Sequence, residues 1–200
     1  MSITLRRPSL LALLMLAGVA CTAAQATPWS IQVSNSSGQP LADAVVAVEL
    51  RGQATKSVGM KADMAQRNRQ FQPQLLIVQT GTAVNFPNFD TVRHHVYSFS
   101  TIKVIDIKLY SGTPAEPIVF DKPGVAALGC NIHDRMSSHI VVVDTPLFAK
   151  TDAAGVAKFD LPAGEHQLKV WHSSRKTPTL QGQALTVGVV SGQSAVTLND

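Results

Sequence analysis

The feature that most limits the folds open to this chain is the rhythm of its turns. From Ser30 to Leu198, short runs rich in Val, Ile and Phe alternate with clusters of Gly, Pro, Asn, Asp and Ser. Turn signals such as Ser37-Gly38, Thr80-Gly81, Pro123-Gly124, Ala154-Gly155 and Ala163-Gly164 recur about every eight to twelve residues. No window after the first thirty residues sustains the 3.6-residue apolar period of an amphipathic helix. The chain is therefore expected to be all-β, with sandwich architecture. Candidate strands are 30–33, 44–50, 75–79, 83–86, 95–99, 104–109, 117–120, 125–130, 139–144, 158–161, 166–172, 185–190 and 195–198. A hydrophobic content of 45% is enough to bury a core, which sets aside disorder. One stretch breaks the pattern: 61–70 (KADMAQRNRQ) is polar, basic and free of β-branched residues, and reads as a linker or short helical turn.

The N-terminus carries a different signal. Arg6 and Arg7 precede an eleven-residue apolar run, LLALLMLAGVA, and Ala24-Gln25-Ala26 then offers a small-residue cleavage site. The run is too short to span a bilayer, so residues 1–26 are expected to be a cleaved signal peptide and the protein to be periplasmic. No other stretch is long enough for a transmembrane helix. A lipid anchor on Cys21 is the lesser alternative, because Gly18 stands where a lipoprotein box expects Leu. Cleavage removes two arginines and no acid, so the formal charge falls from +4 to +2. That small charge, with no basic stripe, gives no footprint for nucleic acid.

Cleavage also removes Cys21 and leaves Cys130 alone in an oxidising compartment, where cysteines normally pair. An unpaired exported thiol is an oxidation liability unless it is buried or ligated. Cys130 opens the turn Cys130-Asn131-Ile132-His133-Asp134-Arg135-Met136, whose C-x-x-H-x-x-M spacing gathers a thiolate, an imidazole and a thioether. Soft sulfur with imidazole suits copper, which trigonal His₂Cys sites with a weak axial Met bind for electron transfer. The second imidazole has to come from elsewhere. The loop 87–96 (PNFDTVRHHV) supplies His94, with His95 as its competitor. His139, His166 and His172 lack ligand spacing and read as strand or surface residues. Asp90, Asp134 and Arg135 fall on the rim of these loops, as solvated charges or partner contacts.

Together these residues resemble a cupredoxin, the blue-copper β-sandwich of the plastocyanin, amicyanin and pseudoazurin type. The resemblance covers about 71–144 and rests on Gly81-Thr82, Asn88, His94-His95-Val96, Pro123-Gly124 and the C-x-x-H-x-x-M loop. FPNFDTVRHHVYSF with FDKPGVAALGCNIHDRM also resembles exported bacterial proteins called methylamine utilization proteins, a name that reflects likeness to amicyanin. The resemblance implies one type 1 copper ion bound by His94, Cys130, His133 and axial Met136. It also implies that the His95 backbone N–H, at a position usually held by Asn, donates to the thiolate. Gly129 stands where an aromatic is common, and Ile132 where Pro is often found.

The flanks resemble a different module. Gly38-Gln39-Pro40-Leu41-Ala42-Asp43-Ala44 near the start and Thr151-Asp152-Ala153-Ala154-Gly155 near the end are similar to parts of a carboxypeptidase-regulatory-like β-sandwich. In that family the two lie close in sequence; here the copper-type stretch intervenes. The implied organisation is a second small sandwich from 27–60 and 146–200 around a copper-binding domain at 70–145. The function implied is single-electron transfer between redox partners, with no catalytic residues of its own. The alternative is a copper-binding module for metal handling or envelope interaction.

Overall fold

A computed structural model describes residues 26–52, 60–133 and 135–199. The proposed signal peptide and Cys21 lie outside the described residues except for Ala26, and Asp134 lies outside them too. The described chain contains seventeen β-strands and no helix. In order these are β1 (Ala26–Asn35), β2 (Val45–Leu50), β3 (Lys61–Asp63), β4 (Ala65–Arg67), β5 (Gln70–Gln72), β6 (Leu75–Gln79), β7 (Thr82–Asn85) and β8 (His94–Ser100). They continue with β9 (Lys103–Tyr110), β10 (Ile118–Phe120), β11 (Gly124–Gly129), β12 (Ser137–Val143) and β13 (Phe148–Lys150). The last four are β14 (Val156–Pro162), β15 (Gly164–Trp171), β16 (Gln181–Val187) and β17 (Gly192–Leu198).

Four sheets are stacked by three apolar cores. The sheet β14-β1-β17 faces the sheet β13-β2-β15-β16 across a core that includes Ile31, Val46, Val48, Leu161, Leu168 and Val196. The sheet β6-β12-β11-β8-β9 faces β10-β7-β3 across Phe71, Val84, Phe86, Phe120, Leu128 and Ile140. A third core joins the two inner sheets: Val45 and Ala47 of β2 meet Val125, Val141 and Val143 of β11 and β12, with Trp171 of β15 among them. Successive side chains of a strand point to opposite faces, so an inner strand is apolar on both. That is why 45–48 (VVAV) and 140–143 (IVVV) are continuous apolar runs rather than alternating ones.

Both chain ends belong to the first pair of sheets. β1 pairs antiparallel with β14 and parallel with β17, and β2 pairs with β13 and β15. The two sequence motifs of the flanks meet here. The Thr151 hydroxyl donates to the Leu41 carbonyl at 2.6 Å and accepts the Ala44 N–H at 2.9 Å. Gly155 closes the adjoining turn at φ 76°, and its carbonyl accepts the Val33 N–H at 2.8 Å. A Cβ on Gly155 would lie 2.6 Å from the Val33 carbonyl oxygen. Gly155→Ala combines that backbone clash with the left-handed conformation and is expected to cost about 2–3 kcal/mol, read from the urea midpoint.

The segment 61–70 is not a linker or helical turn. β3 pairs parallel with β7, and β4 and β5 form a hairpin turned by Asn68 and Arg69, at φ 55° and 58°. Met64 and Gln66 are fully buried, the amide of Gln66 donating to the Phe86 carbonyl and to the Tyr110 hydroxyl. A buried, hydrogen-bonded glutamine makes this strand look polar in sequence. The expected strand 185–190 also runs too far: β16 ends at Val187, and Val189 and Val190 are exposed.

His139 lies on β12 against Trp171, ring centroids 4.9 Å apart, and burial pushes its imidazole below the usual 6.5. The unfolded chain therefore takes up this proton before the folded one does. Stability from this group holds above about pH 6.5 and falls as pH drops below it. His139→Gln is expected to flatten that part of a stability–pH curve measured by urea unfolding.

Candidate metal centre

The site lies at one end of the sheet carrying β8, β11 and β12. Its first half is the loop between β7 and β8, which Asn88 holds together. The Asn88 side chain, almost fully buried, donates to the Val92 and Tyr110 carbonyls and accepts the Asp90 N–H at 2.9 Å. The loop delivers His94 as the first residue of β8, completely buried. Its second half is the turn after β11. There the Met136 N–H donates to the His133 carbonyl at 3.0 Å, and the Cys130 N–H donates to the Met136 carbonyl at 3.2 Å.

His94, Cys130 and His133 converge. One ligand-type atom from each lies within 4.8 Å of the others. The Cys130 Sγ is 3.9 Å from His94 Nδ1, and the two imidazole centroids are 5.1 Å apart. Bonds of about 2.0–2.3 Å to one ion separate neighbouring ligands by about 3.5–4 Å, a range the Cys130–His94 pair already meets. His133 Nδ1 is buried and has no hydrogen-bond partner among the described residues. A buried polar atom in that state costs stability unless something else satisfies it. Met136 is buried in the same core as Cys130 and joined to the turn through its backbone.

His94 and His95 are separated by the pleat of β8. His94 points inward, whereas both ring nitrogens of His95 are engaged outside, Nε2 with Asp106 at 2.6 Å and Nδ1 with the Asn131 amide at 2.8 Å. The β8–β9 pairing is irregular between His94 and Val96, and the hydrogen bonds of the described residues include none from the His95 N–H to Cys130. The donation expected there does not form; His95 instead ties β9 to the ligand turn through its ring.

Asp90 has a role that its place on the loop rim conceals. Its Oδ2 accepts from His94 Nε2 at 2.8 Å, leaving Nδ1 toward Cys130. The same carboxylate accepts the Asn68 and Arg69 N–H groups at 2.7 and 2.9 Å. Partial burial works to raise its pKa, but the Arg69 N–H, the His94 contact and the Asn68 N–H outweigh it and hold the carboxyl below the usual range. Tyr110 borders the site. Burial, opposed by the Gln66 amide and reinforced by the charge of Cys130, pushes its phenol up to about 12, so it remains a donor to the Phe86 carbonyl. His139, His166 and His172 lie elsewhere: His139 on Trp171, His166 on the Pro162 carbonyl, and His172 on the Ser174 hydroxyl.

Gly129 has a steric cause. A Cβ there would fall 2.5 Å from Tyr97 Cζ, so the Tyr97 ring from β8 already covers the position before the cysteine.

Fold and site together define an all-β chain in which two imidazoles and one thiol gather as a group that could hold metal. No family model matches the chain, and no curated protein matches it. Among solved structures it is similar to a purple cupredoxin from Nitrosopumilus maritimus, at 22% identity over 42% of this chain and 99% of that one, with a TM-score of 0.35. It is similar also to the reduced Cu(I) form of the P52G mutant of amicyanin, at 14% identity, 49% and 98% coverage and a TM-score of 0.37. A third is the Cu-containing nitrite reductase of Thermus scotoductus SA-01, at 21% identity and a TM-score of 0.38, over 57% of this chain and 28% of the enzyme.

Proposed function

We propose that this protein is an exported type 1 copper protein that carries single electrons between redox partners. The observation that carries the reading is the buried, unpartnered His133 Nδ1 beside a thiol and imidazole 3.9 Å apart. His94, Cys130, His133 and Met136 would hold one copper ion, and this donor set favours copper over oxygen-loving metals. Copper bound there supplies a one-electron couple. The protein's part is to keep the donors in one arrangement in both oxidation states, and the buried His94, anchored by Asp90, does that on one side of the site. His133, only partly buried, would be the edge at which a partner approaches. Ile132, its neighbour in the turn, and Phe89 of the β7–β8 loop are about half exposed, and Arg67 lies 4.5 Å over the Phe89 ring. Arg67, Arg69, Arg93 and Arg135 are all exposed, with no ion pair among the described residues. A partner with an acidic face fits this rim.

The test is to add Cu(II) to the full chain lacking residues 1–26 and record its spectrum. An intense thiolate charge-transfer band, bleached by ascorbate, restored by ferricyanide and lost in Cys130→Ser, is expected. A colourless complex or binding of Cu(I) alone would overturn the carrier reading in favour of metal handling.

A further inference from the structure

A cleft of about 590 Å³ runs along the junction of the two inner sheets and ends at Cys130 and Met136. It is separate from the His133 edge. One wall is aromatic: Tyr97 and Phe99 project from the same face of β8, centroids 5.4 Å apart, with Phe99 80% exposed. Trp171 and the nearby segment 175–178 also line it. That segment is fixed by its own hydrogen bonds. The Trp171 indole donates to the Thr177 carbonyl at 3.3 Å, and the Arg175 guanidinium donates to the Thr179 and Asn199 carbonyls. Arg175 and Lys176 line the cleft, neither is in an ion pair among the described residues, and no aspartate or glutamate lines it.

Each feature restricts the occupant. The volume lies in the range of small-molecule pockets, about 300–1,000 Å³. Two tilted aromatic rings offer a planar molecule edge and face contacts. Two cations without a carboxylate select an anion; Arg175 Nε and Nη1 are taken by carbonyls, so its Nη2 and the Lys176 ammonium are the donors left for a ligand carboxylate. The Tyr97 hydroxyl makes no hydrogen bond among the described residues and is a free polar contact in the aromatic wall. We propose that the cleft binds a small aromatic carboxylate, its ring on Tyr97 and Phe99 and its charge toward Arg175 and Lys176. The bound ring would lie beside Gly129 and Cys130, where the absence of a Cβ on Gly129 lets the Tyr97 ring sit against the backbone. The inference does not rest on the copper reading, because every residue it uses is positioned by protein contacts alone.

The experiment titrates the metal-free full chain with trans-cinnamate and, in parallel, with the neutral cinnamamide, following the two indole N–H resonances by NMR. Trp29, whose indole donates to Ser194 in the outermost sheet, is the internal control. Cinnamate is expected to shift the Trp171 resonance saturably, with a dissociation constant below about 1 mM, and to leave Trp29 unmoved. The amide should bind at least tenfold more weakly. Lys176→Glu, at an exposed position outside any strand, should weaken cinnamate at least fivefold without altering the spectrum of the free protein. Equal binding of acid and amide, equal shifts at both indoles, or an unresponsive Trp171 would overturn the proposal. So would a sedimenting dimer whose Trp171 signal cinnamate leaves unchanged, which would assign the Phe99 wall to a second copy of the chain.

Discussion

Asp90→Ala is expected to weaken Cu(II) binding about 10–100-fold, although Asp90 is not among the ligands. Its carboxylate fixes His94 from behind: with Nε2 bonded to Asp90 at 2.8 Å, Nδ1 is the nitrogen left for the metal. Without that bond the imidazole loses both its orientation and its choice of tautomer. The carboxylate also caps a hairpin turn in which Asn68 and Arg69 both hold the left-handed conformation, which costs about 1–2 kcal/mol per non-glycine residue. Two N–H groups aimed at one anion compensate for that cost. The variant should therefore lose fold stability as well as affinity, and two readouts separate the effects. Affinity is measured by competition with a chelator, and stability by urea unfolding of the metal-free protein. Asp90→Asn keeps an acceptor oxygen but loses the charge, so it should fall between wild type and alanine in affinity. It should also raise the reduction potential, since a nearby negative charge favours the more highly charged metal. Equal affinity for wild type and Asp90→Ala would show that the packing of His94 alone positions it.

This arrangement marks the boundary of what is legible in the sequence. That Cys130, His133 and Met136 lie together is readable because they share one seven-residue turn, and local spacing survives folding. His94 is readable because it begins a strand next to a recognisable loop, and the pleat separates it from His95. Asp90 is not, because its function depends on a hairpin some twenty residues upstream. That hairpin is hidden in turn by the buried Gln66, a polar residue satisfied by Phe86 and Tyr110 where a strand pattern calls for an apolar one. The same lesson holds at larger scale. The thirteen expected strands all have counterparts, since each is an apolar run between turn residues. The strands missed, β3, β4, β5 and β13, have three residues each. Three residues are too few for a period of two to declare itself unless they are all apolar, as in the IVF of β10. The stacking of sheets is announced only indirectly, by the unbroken runs VVAV and IVVV, which a strand with one wet face would not carry.

Trp171→Ala is expected to destabilise the protein by about 3–5 kcal/mol, the usual cost of emptying a large buried aromatic position. Trp171 is only 2% exposed and belongs to β15, yet it packs with Val125, Val141 and Val143 of the sheet that leads into the Cys130 turn, and its ring lies against His139. Among the described residues the third core has six buried members against fourteen and thirteen in the other two, so one side chain is a large share of it. The two larger cores lie on either side of this junction, and each retains its apolar content when Trp171 is lost. The wild-type chain should then unfold in one calorimetric transition, and the variant in two. Metal binding stabilises only the structure that holds the ligands. Cu(II) should therefore raise both halves together in the wild type, but only one of the two transitions in Trp171→Ala. A variant that still unfolds in one step, merely at lower temperature, would place the coupling in Val45 and Ala47 of β2 against β12 instead. Either outcome measures how far the two sheets built from the chain ends support the cluster of His94, Cys130 and His133, to which they contribute no residue.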